Sequence, residues 1–382
     1  MSAVRKVPVN APLITDAAKR YVHEAMETGW ISSAGPCIGK FEKAFADFIG
    51  VKHAVFTTSG TTALHLGLLA LGVGPSDEVI VPDFTMIASA FAVMYTGATP
   101  VFVDVDPETY NLDPSLLEAK ITKRTKAIMP VHIYGHSCDM DPILATAKKH
   151  GIPVLEDAAE VHGATYKGKK CGALGTISAF SFYGNKIITT GEGGMVCTND
   201  DALAERVRSL TDLAHSKKKR FVHEELGYNY RPTNLQAAVG LGQMESVELF
   251  LKRKRSMAAL YKEGLSGIKG LRLPITKEYA ENVYWMYAVL VEKSFGMSKD
   301  DLCAKLKEKG VDTRDFFYPC HSQPAVAKAM AGKPAVAKFH QTNAKFPVTE
   351  DIAKRGFYLP SGLAITDEEI RYVCECVKAL VA

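Results

Sequence analysis

Short apolar runs alternate with longer amphipathic or Ala/Leu-rich stretches over residues 16–211. The runs at 54–56, 79–81, 100–103, 127–131, 152–155, 177–183 and 195–198 have the length of strands and predict a buried sheet. The stretches between them predict helices, the clearest opening at Gly60 and running to about Leu71. Strand and helix in alternation predict an α/β fold, a mostly parallel sheet covered by helices on both faces. Further on, residues 236–261 read as one long helix joining two domains. Residues 284–291 and 310–313, with a closing helix from Asp367, predict a small α+β domain. Residues 264–270 are the most linker-like stretch. With the boundary placed in the long helix, residues 1–250 form a large domain with an N-terminal arm, and 251–382 a small C-terminal one.

Composition narrows the function classes. With 382 residues, 47% hydrophobic and 23% charged, the chain has an ordinary globular make-up and length enough for two domains. A net charge of +4 is mild and makes no case for nucleic acid, which calls for concentrated basic patches. The basic clusters Lys217-Lys218-Lys219-Arg220 and Lys252-Arg253-Lys254-Arg255 read as solvated faces, the first with a second reading as a contact for a nucleotide diphosphate. Eight scattered cysteines without CxxC pairs fit reduced, mostly buried thiols in a cytosolic enzyme, and no metal set is expected. His65, inside an apolar helix, is expected to pack. The N-terminal residues lack the apolar core of a signal peptide, and no run is long enough to span a bilayer.

Three features carry chemistry. Lys186 follows the apolar run 177–183 and precedes a glycine turn into the next run. A desolvated lysine tends to lose its proton, and a neutral amine is what Schiff-base chemistry with an aldehyde requires. Asp157 lies just past the carboxyl end of the run 152–155, where open α/β sheets place ligands. A pyridoxal phosphate (PLP) ring needs a carboxylate against its nitrogen. Thr57-Thr58-Ser59-Gly60-Thr61-Thr62 opens a helix with free N–H groups and hydroxyls suited to a phosphate, and Ser181 offers another hydroxyl. Alone, each has an ordinary role: a surface lysine on a hairpin, a helix cap, an N-cap run. Together they match the requirements of one cofactor.

At these residues the chain resembles the DegT-like family of PLP-dependent sugar-nucleotide aminotransferases, which have the aspartate-aminotransferase type of fold (fold type I). The likeness covers nearly the whole length. It runs through Thr28-Gly29-Trp30, Ser59-Gly60-Thr61-Thr62, Gly74-Pro75-Ser76-Asp77-Glu78, Met129-Pro130-Val131-His132, Glu156-Asp157-Ala158-Ala159-Glu160, the lysine segment and Gly227-Tyr228-Asn229-Tyr230-Arg231-Pro232. It implies that Lys186 bonds the cofactor and moves a proton during amine exchange. Asp157 would pair with the ring nitrogen, and Gly60, Thr61 and Ser181 would hold the phosphate. Asn229 would reach the phosphate of a neighbouring subunit's cofactor, making the protein a homodimer with shared sites. Glu160 would lie by the ring hydroxyl, where many relatives carry glutamine, and would have to share a proton with it.

Met86 stands where relatives often stack an aromatic ring on the cofactor. A methionine sulfur can cover that ring, and Phe84 is the alternative platform. Phe91 replaces a small polar residue of relatives and faces either substrate or core. The resemblance places Trp30, Arg231, Tyr318 and His321 near the mouth of the site as substrate contacts. It implies L-glutamate as amino donor and a 4-keto-6-deoxy sugar nucleotide as acceptor. GDP-4-keto-6-deoxymannose is the first expectation, a UDP- or dTDP-linked sugar the alternative. Lys186 counts against a dehydratase branch of the fold, which carries histidine there. A binding or regulatory protein without turnover and a PLP lyase acting on amino acids are the competing classes. Neither a nucleic-acid nor a membrane partner is expected.

Overall fold

The structure, a computed structural model, describes residues 5–219, 221–330 and 345–381. Arg220 of the first basic cluster and residues 1–4 of the N-terminus lie outside the described residues.

The expected alternation is present. Helices α1 (Asp16–Thr28) and α2 (Pro36–Ile49) lead into β1 (His53–Thr57), α3 (Gly60–Ala70), β2 (Glu78–Pro82), α4 (Ala88–Tyr95), β3 (Thr99–Val103), β4 (Thr125–Ile128), α5 (Met140–His150) and β5 (Leu155–Asp157). A two-residue hairpin, β6 (Thr165–Tyr166) and β7 (Lys169–Lys170), precedes β8 (Ile177–Ser181), β9 (Gly194–Thr198) and α6 (Asp201–Thr211). Two hydrogen-bonded sets, β1-β9-β8-β5 and β3-β2-β4, are joined by parallel bridges Ile128–Val154 and Val131–Asp157. The order is therefore β1-β9-β8-β5-β4-β2-β3. Only β9 runs against the others. Strands β2, β3, β8 and β9 are buried along their whole length, which explains why they read as unbroken apolar runs.

Some expectations differ from the structure. The long helix over 236–261 is two, α7 (Asn234–Met244) and α8 (Val247–Leu265). The break falls at Ser246, whose backbone (φ −117°, ψ 10°) leaves the helical region, and beside it Arg20 and the Tyr21 hydroxyl of α1 bond the Glu245 carboxylate. This lets α7 pack on α1 and α2 while α8 packs on the closing helix Asp367–Lys378. The run 177–183 stops as a strand at Ser181, and Tyr183 is exposed. Residues 310–313 form no strand: Val311 only bridges Val7, and the pairing falls to Arg314–Asp315 instead. A second antiparallel sheet joins Leu271–Arg272, Tyr287–Val291, Gly356–Leu359 and Arg314–Asp315. Its apolar cluster includes Val7, Tyr261, Leu302 and Val373, so the N-terminal arm packs with the C-terminal residues. In the second basic cluster Lys254 is buried, contrary to a solvated face; two backbone carbonyls accept its hydrogen bonds.

Candidate active site

β1, β2, β4, β5 and β8 run parallel and end on one edge of the sheet. Residues at and just past these ends line a cavity of about 490 Å³: Ser59, Gly60 and Thr61 after β1, Thr85 and Met86 after β2, Val131 after β4, Asp157 closing β5, and Ser181 closing β8. This is the position open α/β sheets use for ligands.

One end of the cavity is built by the cap of α3. Ser59 Oγ accepts from Thr62 N–H at 3.1 Å, and Ser59 N–H donates to Thr62 Oγ1 at 2.9 Å. The Gly60 and Thr61 N–H groups have no acceptor inside the helix and line the cavity. Close approach is enforced here. A Cβ on Gly60 would meet Ser181 Cβ at 2.7 Å, and one on Gly194 would meet Ser59 O at 2.2 Å.

Asp157 is buried, and Ser89 Oγ donates to its Oδ2 at 2.7 Å while Ala159 N–H donates to its Oδ1 at 3.2 Å. Burial raises this carboxyl, opposed by the Ser89 bond. Lys186 follows β8 in a loop closed by the Tyr183–Gly191 bridge. Its side chain is 10% exposed, with Nζ 3.8 Å from Glu160 Oε1 and 3.6 Å from the centre of the Trp285 ring. Burial lowers the amine's proton affinity against the opposing charges of Glu160 and Asp157, and burial raises Glu160. Glu160 is fixed by Tyr134 N–H, which donates to Oε2 at 2.8 Å. Tyr134 delivers that N–H from a left-handed backbone, φ 52° and ψ 17°.

Of the sequence candidates, Gly60, Thr61, Met86, Asp157, Glu160, Ser181 and Lys186 share this cavity. Met86 lines it, whereas Phe84 is fully buried against Tyr110, Tyr134 and Phe316. Phe91 packs against the core beside α3. Asn229, Trp30, Arg231, Tyr318 and His321 lie outside the lining. Asn229 is exposed and bridges Asp212; Arg231 pairs with Asp212 at 3.1 Å; Trp30 and Tyr318 are exposed; His321 Nδ1 sits 2.6 Å from buried Asp83. Sequence reasoning missed Ser89, Asn185, Trp285, Phe317 and Tyr358. No local pattern marks Ser89, Trp285, Phe317 or Tyr358, because they arrive from other elements; Asn185 is the neighbour of Lys186 in its own loop. His65 packs as expected, against Tyr228 and Tyr95, and burial lowers it to about 4. All eight cysteines are free, and among the described residues no cluster is arranged to hold a metal ion. No helix among those residues is long and apolar enough to cross a membrane.

The donor set fits PLP: N–H groups and hydroxyls at one end, a buried carboxylate held by a hydroxyl, and a desolvated amine in the same cavity. Comparison with known proteins agrees. Residues 12–378 match the family model for DegT/DnrJ/EryC1/StrS aminotransferases. The chain is 46% identical over 374 residues to the GDP-perosamine synthase of Caulobacter vibrioides, with 97% of each chain covered. It is 43% identical over 376 residues to that of Escherichia coli O157:H7, with 98% of each covered. The crystal structure of S. venezuelae DesV in complex with a ketimine intermediate superimposes with a TM-score of 0.87 at 37% identity, covering 95% of this chain and 94% of that one. With the cavity's chemistry and these likenesses in agreement, the chain belongs to the DegT/DnrJ/EryC1/StrS aminotransferase family and is a PLP-dependent aminotransferase.

Proposed function

We propose that this protein transfers an amino group from L-glutamate to C4 of a 4-keto-6-deoxy sugar nucleotide, converting GDP-4-keto-6-deoxy-D-mannose to GDP-perosamine. The observation that carries the reaction type is the convergence of Lys186, Asp157 and the α3 N-terminus on one cavity. The sugar rests on the GDP-perosamine synthases, those of Caulobacter vibrioides and Escherichia coli O157:H7 among them, that the chain matches over nearly its whole length.

When bound, PLP supplies an aldehyde carbon for amine exchange and an electron-withdrawing ring. The protein's residues do the rest. Gly60 and Thr61 N–H and the Ser181 hydroxyl bind the phosphate, and the α3 dipole favours its charge. Asp157, oriented by Ser89, holds a proton on the ring nitrogen. Burial disfavours the ammonium of Lys186, so its Nζ would bond the cofactor's aldehyde carbon as an amine and move a proton during amine exchange. Glu160 Oε1, facing that amine, holds a proton at the ring hydroxyl. Met86 covers one face of the site.

The working unit in this reading is a homodimer. Asn229 lies away from its own chain's cavity on an exposed segment that also presents Phe221 at 73% and Leu226 at 81% exposure. Apolar side chains so exposed favour burial against a second copy, which supports Asn229 completing the other subunit's phosphate site. Trp30, Arg231, Tyr318 and His321 are then the substrate contacts.

The test is to load the protein with pyridoxamine phosphate and offer a panel of keto-sugar nucleotides. Recovery of PLP with the GDP-linked sugar is the expected result. Recovery only with a UDP- or dTDP-linked sugar would transfer the assignment, and none with any acceptor would favour a binding protein. Lys186→Ala should abolish both turnover and borohydride fixation of the cofactor.

A further inference from the structure

α8 carries four consecutive basic residues, and three of them behave as surface cations. Lys252 is exposed, Arg253 pairs with Asp367, and Arg255 faces Glu281 at 3.7 Å. Lys254 is 2% exposed. Its Nζ donates to the carbonyl oxygens of Trp285 at 2.9 Å and Ser361 at 2.5 Å, with Met257 Sδ at 4.0 Å. Among the described residues no carboxylate pairs with it, and Arg253 is the charge it feels.

A buried amine without an anion is costly to charge, and burial lowers this one to about 7; an apolar chain of similar length would fill the space without that penalty. What the amine does that such a chain would not is donate to two carbonyls from separate segments. Ser361 is itself tied down, its Oγ accepting from Tyr287 N–H at 2.8 Å and its N–H donating to Val9 O at 2.8 Å. The Trp285 side chain reaches the other way. Its Nε1–H donates at 2.9 Å to the carbonyl of Asn185, the residue before Lys186, and its ring lies 3.6 Å from Lys186 Nζ. Tyr134 lies near-parallel to the indole, at 24° and 6.2 Å. The indole is thus fixed at its backbone by Lys254 and at its edge by the Lys186 loop. Lys186, Lys254, Asn185 and Trp285 also line one small cavity.

We propose that Lys254 is a positioning residue for the reactive amine: by holding the Trp285 backbone it sets the indole against Lys186 and keeps that amine in its attacking place. The inference rests on the reading of Lys186 as the cofactor-bonding residue.

The test measures uptake of pyridoxal 5′-phosphate by cofactor-free protein, followed by absorbance, with borohydride fixation and mass spectrometry to locate the label. Emission is read in a Trp30→Phe background, which leaves Trp285 as the one remaining tryptophan of two. Lys254→Met is expected to remain folded, shift the Trp285 emission and slow labelling of Lys186 about tenfold, the scale of a small misplacement of a reacting group. Trp285→Phe should slow labelling to a similar degree, and the double variant should be no slower than the slower single. Parental emission and labelling rate in folded Lys254→Met would overturn the proposal. So would a double variant whose slowing is the product of the two singles. If Lys254→Met does not fold, Trp285→Phe decides: parental labelling there removes the link between the indole and the amine. No label on Lys186 in the parent protein would instead overturn the cofactor assignment itself.

Discussion

Replacing Glu160 by glutamine removes the carboxylate that pairs with Lys186 while keeping a side chain of the same shape. The two side chains are 4% and 10% exposed, and Glu160 Oε1 lies 3.8 Å from Nζ. Tyr134 N–H holds the other oxygen, so the carboxylate is anchored in place. At that separation and an effective dielectric of about 20, the attraction is about 4 kcal/mol. As a ceiling this is about a thousandfold in the amine's protonation equilibrium. Burial raises Glu160 to about 7, so it is only partly ionised near neutrality and the expected change is smaller, about ten- to a hundredfold more neutral amine at a given pH. The sign is set by charge. Removing an anion disfavours the ammonium, so the amine stays reactive to lower pH. Cofactor-free protein treated briefly with a limiting acylating reagent across a pH series, with Lys186 modification read by mass spectrometry, measures this directly. The Glu160→Gln curve should move toward acid. An unmoved curve would mean that Glu160 already carries its own proton in the native protein, and the ion-pair argument would fail.

Asp157→Asn should leave the fold intact and cut the rate of the glutamate half-reaction by about 10²–10³, since an amide cannot balance a proton on the ring nitrogen; Ser89→Ala should cost about tenfold or less, because it only orients that carboxylate. Gly194→Ala would put a Cβ 2.2 Å from Ser59 O and 2.8 Å from Gly60 N, displacing the cradle. It should weaken binding of pyridoxal phosphate far more than of unphosphorylated pyridoxal, measured side by side by absorbance. His162 is buried, its Nδ1 accepting from Ile188 N–H at 3.2 Å, and burial lowers it to about 3. A base with a depressed folded pKa is neutral in both states above pH about 6.5 and penalises the fold below it. Stability should therefore fall from pH 6.5 toward 3, by about 5 kcal/mol at most. Denaturant melts of His162→Asn should show a flatter acid limb, and an equally steep one would refute the assignment.

Much of this protein can be read along the chain. Period and length mark the strands that deliver Asp157 and Ser181, and the Ser59–Thr62 box announces its own helix start. These are local properties, decided by residues within a turn or a strand of one another. Lys186 and Asp157 stand out because an amine and a carboxylate at strand ends are chemically conspicuous. Their surroundings came only with the tertiary fold. Ser89 reaches Asp157 across 68 residues and Trp285 reaches Asn185 across 100, and neither bears a local mark. Lys254 reads as one more surface charge until its two carbonyl partners are brought to it from distant segments. The break between α7 and α8 is invisible in the helical period, because a single non-helical residue, Ser246, makes it, and the contacts beside it come from Arg20 and Tyr21 of α1, far away along the chain. Periodicity records which face of an element is buried. Which groups then meet across that buried face depends on how the sheet order and the helix packing bring separate segments together, and no local pattern carries that information.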